Sequence, residues 1–89
     1  MAFPGGLVVL SRNGCGLCED MLLELAELEQ AKQIPPVTVL DVDTDAGWVR
    51  QYGLKVPVLL LDGSVICHYT LNSKELLRLL GRSAAILPR

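Results

Sequence analysis

Two cysteines stand three residues apart, as Cys15-Gly16-Leu17-Cys18. Thiols at that spacing can close into a disulfide and open again, which is the chemistry of thiol–disulfide exchange. Downstream, Cys18, Met21, Leu22, Leu25 and Leu28 fall on one face at helical spacing, predicting a helix from Cys18 to about Lys32. Cys15 then sits at or just before the first turn, where unpaired N–H groups and the helix dipole favour an anion. A thiol there is expected to ionise below its usual value of about 8.5. Cys18 lies on the apolar stripe and is expected to be sheltered. One thiolate attacks; the inward thiol resolves. Arg12, just upstream, is placed to stabilise the Cys15 thiolate or an incoming anion, whereas Glu19 and Asp20 in the first turn oppose a second negative charge.

Other chemistries fit the residues less well. Zinc wants four ligands, and the remaining candidates, Cys67 and His68, are adjacent on a strand and should point to opposite faces. No metal site is expected. Cys67 reads as a small hydrophobe, and His68 as a partly exposed strand residue. Trp48 and Tyr52, at i and i+4, read as packing. Asp41, Asp43 and Asp45 alternate, but no binding-loop glycine and terminal glutamate follow at calcium-loop spacing; they read as a strand end and a helix cap.

The elements that must position the pair follow from the hydrophobic pattern. Leu7–Leu10, bounded by Gly5-Gly6 and Asn13-Gly14, reads as a buried strand. Pro35-Pro36 must end the first helix. Val37–Val42 is a second strand, so strand, helix and strand form a βαβ unit. Asp43-Thr44 offers the start of a short helix with Trp48, Val49 and Tyr52 on one face, closed by Gly53 as a left-handed cap. Val56–Leu61 is a third strand, Asp62-Gly63 a hairpin turn, and Ser64–Tyr69 a fourth strand. Asn72 with Glu75 suits a capping box for a last helix. Leu76, Leu77 and Leu80 form its core face, Leu79 widens it and Gly81 ends it. The segment 82–89 carries no strong signal.

With 89 residues the chain is expected to form a single domain over 1–89. A hydrophobic content of 51% indicates a packed core, and a net charge of −2 leaves no basic field for nucleic acid. The longest apolar run, Val56–Leu61, is far short of a membrane span, and no leader pattern precedes Leu7. The expected setting is cytoplasmic, without membrane or nucleic-acid partners, and as a monomer.

A strand, C-x-x-C opening a helix, and a Val-Pro some forty residues on that leads through Asp-Gly into an edge hairpin resemble the thioredoxin fold. The compact length resembles its glutaredoxin branch, from about Leu7 to Leu80. The resemblance implies an α/β, thioredoxin-like fold in the order β-α-β-α-β-β-α, with one four-stranded mixed sheet flanked by helices. It also implies a cis bond before Pro57 and a substrate-binding role for the backbone of Val56. With Arg12, Gly16, Leu17, Lys55, Val56 and Pro57 as substrate-binding positions, Cys15 and Cys18 become the catalytic pair.

The pattern departs from its relatives in places. Thioredoxins carry Trp where Gly14 stands. Glutaredoxins commonly have Tyr at the position of Leu17, Thr at that of Lys55, and Gly-Gly-x-Asp where this chain has His68-Tyr69-Thr70-Leu71-Asn72. Arg12 and Lys55 remain as receivers for glutathione carboxylates. The expected activity is a glutaredoxin-like oxidoreductase that reduces protein disulfides or glutathione mixed disulfides, recharged by a cellular reductant. No cofactor is required, and glutathione is a possible co-substrate. The alternative is a binding module that holds glutathione with an iron–sulfur cluster, or a protein partner, with little turnover.

Overall fold

The computed structural model describes residues 3–81. The sheet grows outward from β1 (Leu7–Ser11), whose residues Leu7–Leu10 are buried on both faces. Period-two alternation explains this: Leu7 and Val9 join one core cluster, Val8 and Leu10 another. β2 (Val37–Asp41) pairs parallel to β1. β3 (Val58–Leu61) pairs antiparallel on the other side, and β4 (Ser64–His68) follows it, giving the order β2-β1-β3-β4. This is the expected mixed α/β sheet with its helices in the expected order.

α1 (Gly16–Gln30) begins two residues earlier than the apolar stripe indicated and buries Cys18, Met21 and Leu25. Its end is a Schellman closure. Lys32 takes φ +59°, its N–H donates to Glu29, and Gln33 N–H donates to Leu28. The helix therefore stops before Pro35 forces it to. Met21 and Leu25 join Leu7, Val9, Ile34, Leu59 and, from α3 (Ser73–Leu79), Leu76 in the first cluster. On the opposite face, α2 (Ala46–Tyr52) lays Tyr52 against Val8, Leu10, Val42, Val58 and Leu60, with Trp48 stacked on Phe3 at 5.3 Å.

Several local readings change. Val42 leaves β2 and enters a 3₁₀ turn, Val42–Thr44, capped by Asp41. Asp45, not Asp43 or Thr44, caps α2 by accepting from Trp48 N–H. Gly53 is not a left-handed cap; its φ is −56°. Space requires a glycine there instead, because a Cβ would lie 2.5 Å from the Val49 carbonyl oxygen. The apolar composition of β2 suggested cover, yet Thr38, Val39 and Asp41 are exposed on this sheet edge.

The hairpin forms as read, with Asp62 at φ +50° and Gly63 at φ +85°, the signs a type I′ turn needs. A bulge between Leu59 and Leu60 then puts both Ile66 and Cys67 against the first cluster. Asn72 caps α3 by accepting from Glu75 N–H, but the Glu75 carboxylate turns to Arg78 instead of closing the capping box. Leu79 is exposed and does not widen the core face. Residues 1–2 and 82–89, the ends of the single-domain reading, lie outside the described residues.

Candidate functional site

Cys15 is the N-cap of α1, in extended conformation. Its sulfur accepts from Cys18 N–H at 3.1 Å, the place a serine or aspartate oxygen ordinarily fills at a helix start. Gly14 precedes it at φ +75°, a backbone conformation that a side chain such as tryptophan adopts only at a cost. Cys15 and Cys18 stand close together, with Cα atoms 5.2 Å apart, a separation that a disulfide can span. Their environments differ. Cys15 is partly exposed, between exposed Gly14 and Gly16, whereas Cys18 is wholly buried. Leu17, 45% exposed, stands at the rim.

The register Leu10↔Val58 brings the chain entering β3 to the same end of the sheet as the chain leaving β1 for Cys15. That entering chain is Lys55-Val56-Pro57, and the Val56–Pro57 bond is cis. Pro57 is buried and Val56 half-buried, and Lys55 is exposed. Among the described residues, no backbone hydrogen bond reaches the Val56 N–H or carbonyl. Beside it opens a groove of about 270 Å³, lined by Gln51, Tyr52, Lys55, Val58, Val65 and His68.

Arg12 has partners that the sequence did not reveal. Its Nε and Nη2 donate to the Asp43 carboxylate at 2.9 and 2.7 Å, and its Nη1 donates to the Gly53 carbonyl at 2.8 Å. Its charge is thus shared with Asp43 rather than presented unpaired to Cys15. The guanidinium's hydrogen bonds hold the Asp43 carboxyl below the usual aspartate range. The pair therefore persists where a free aspartate begins to protonate, and is lost as pH falls through the lowered value. Tyr69 makes unforeseen contacts with the neighbouring connection: its N–H donates to Pro57 O at 2.9 Å and its hydroxyl to Leu54 O at 3.1 Å. No local signal announces either. Arg12 and Asp43 are 31 residues apart and meet only through the βαβ crossover.

Cys67, the remaining thiol, is half-buried against the first core cluster. Burial pushes its pKa up, offset in part by a backbone hydrogen bond at Asn72. With the protein reduced but folded, iodoacetamide is expected to modify Cys15 first and Cys67 much later, as read by peptide mass mapping. Equal rates, or Cys67 first, would contradict this assignment of environments.

A mixed four-stranded sheet with helices on both faces, a half-exposed cysteine capping the first long helix and a buried cysteine one turn on define a thioredoxin-like protein. The model of the glutaredoxin-like domain (DUF836) matches residues 6–81, and the chain belongs to that family. The solution structure of protein Ne2328 from Nitrosomonas europaea is similar at 36% identity, with TM-score 0.70 over 85% of this chain and 91% of that one. The crystal structure of protein XcR50 from X. campestris is similar at 30% identity, with TM-score 0.64 over 84% and 95%. The holo form of glutaredoxin C1 from Populus tremula x tremuloides, at 18% identity and TM-score 0.50 over 92% and 80%, shares the fold. No curated protein matches the chain. Among the described residues, no helix is long and apolar enough to cross a membrane.

Proposed function

We propose that this protein is a dithiol oxidoreductase that reduces disulfides through Cys15 and Cys18. The observation that carries the reading is the asymmetry of the pair: an accessible sulfur at the helix N-cap, and a buried one a single turn further on. Helix N–H groups favour the thiolate of Cys15 and burial keeps Cys18 as the neutral thiol until it is needed.

In the first step the Cys15 thiolate attacks one sulfur of a substrate disulfide. The substrate S–S bond breaks, a Cys15–substrate disulfide forms, and the other substrate sulfur leaves as a thiolate that takes up a proton. Cys18 then loses its proton and attacks the Cys15 sulfur. The substrate's second thiolate leaves and is protonated, and two electrons have passed from the protein dithiol to the substrate. A thiol reductant, two glutathiones or an external dithiol, restores Cys15 and Cys18. The Val56 backbone, without a backbone partner among the described residues, offers an extended substrate chain a place to hydrogen-bond at the end of the sheet from which the chain leaves for Cys15. Lys55, exposed next to it, offers a cation to a substrate carboxylate.

The test is reduction of a short peptide carrying one intramolecular disulfide, with dithiothreitol as electron source. Faster reduction than by dithiothreitol alone, with the protein cycling through a form two hydrogens lighter, is the expected result. A rate equal to that of dithiothreitol alone would overturn the reading.

A further inference from the structure

The connection from α2 to β3 is buried at its ends, at Gly53 and Pro57, and open in its middle. Leu54 is 92% exposed and Lys55 is exposed, so side-chain burial does little to fix the backbone at those two residues. Besides the Lys55 N–H bond to the Tyr52 carbonyl, side-chain hydrogen bonds hold this middle. Two side chains approach from opposite sides and donate to successive carbonyls: Arg12 to Gly53, and Tyr69 to Leu54. Each is itself fixed. Asp43 grips the guanidinium through two bonds, which leaves Nη1 aimed at Gly53. Gly53 lacks a side chain where Arg12 Nη2 would come within 3.4 Å of a Cβ. Tyr69 takes φ +70°, uncommon for a residue with a side chain, and its own N–H holds Pro57. The donors also come from informative places: Arg12 from the loop that leads to Cys15, Tyr69 from the end of β4.

We propose that Arg12, oriented by Asp43, and Tyr69 are positioning residues that clamp the 53–57 connection so that the Val56 backbone is preset for an extended substrate chain. This rests on the reading of Cys15–Cys18 as a thiol–disulfide exchange pair. The clamp touches neither reacting sulfur. It acts on the fraction of molecules whose substrate ledge is formed, and apparent affinity for a chain-like substrate falls in proportion to that fraction.

Two variants test it. Tyr69→Phe keeps the ring and removes only the hydroxyl; Asp43→Ala releases the guanidinium without touching Arg12. Each is expected to raise the KM for the disulfide peptide about threefold, and the double variant about tenfold, the effect of one and two net hydrogen bonds. In Tyr69→Phe, turnover at saturating peptide stays level, as does the rate with bis(2-hydroxyethyl) disulfide, a substrate too small to lie along Val56. Unchanged KM in both variants overturns the clamp, as does a parallel fall in rate with both substrates, which a merely loosened fold would give. Tyr69→Phe decides the matter even where Asp43→Ala unfolds the domain. A wild-type protein that exchanges with neither substrate fails the oxidoreductase reading itself. One that exchanges with both while the variants match it in KM fails the clamp alone.

Discussion

Replacing Cys15 by serine is expected to bring disulfide reduction down to the uncatalysed background, whereas Cys18→Ser arrests the protein as a mixed disulfide with its substrate. The two outcomes differ because the sulfurs have separate tasks. Without Cys15 there is no accessible nucleophile: Cys18 is wholly buried, and Cys67 is half-buried with its pKa pushed up. A serine hydroxyl at the N-cap would still accept the Cys18 N–H, so the helix start is kept and loss of rate reports chemistry. Without Cys18 the first attack proceeds, but no internal thiol displaces the product. Mass spectrometry of Cys18→Ser incubated with a disulfide peptide should therefore find one peptide attached through Cys15. Substantial reduction by Cys15→Ser, or attachment at Cys67, would contradict this division of roles.

The largest structural effect is expected at Leu76. α3 spans seven residues, and Leu76 is the fully buried one, set among Leu7, Met21, Leu25 and Leu59. A helix that short has little stability of its own and depends on docking. Leu76→Ala is expected to cost about 2–5 kcal/mol, the range for a buried leucine truncated to leave a cavity. Against a typical domain stability of about 5–15 kcal/mol, that is a large share of the whole. Urea denaturation followed by circular dichroism measures it as a fall in midpoint. A loss below about 1 kcal/mol, the scale of surface changes, would show that α3 is not anchored through this side chain.

What the sequence made legible was whatever rests on local pattern. Leu7–Leu10 announced a buried strand because it is apolar on both faces. The Cys18–Leu28 stripe announced a helix, Asp62-Gly63 a turn and Asn72 a cap. The placement of Cys15 and Cys18 on either side of a helix start followed from those signals. Less legible was whatever depends on tertiary position. β2 has the β-branched composition of a covered strand but lies at an edge, so Val39 faces outward. The bulge that turns Ile66 and Cys67 to the same side is set by pairing with β3, not by any glycine or proline in β4. Gly53 looked like a helix stop by type alone, whereas the approach of Val49 O and Arg12 is what excludes a side chain. Arg12 looked free for an anion because its partner Asp43 is distant in sequence. Tyr69 reaches Pro57 and Leu54 only because the hairpin returns it there.

The central claim, that Cys15 and Cys18 form a reversible dithiol–disulfide couple, is tested most directly by titrating the protein against glutathione buffers of graded potential. Species are quenched with acid and weighed intact. A single transition is expected between a form with both thiols and a form two hydrogens lighter, mapped to Cys15–Cys18, with Cys67 reduced throughout. Failure of the two cysteines to oxidise together at any glutathione ratio would contradict it.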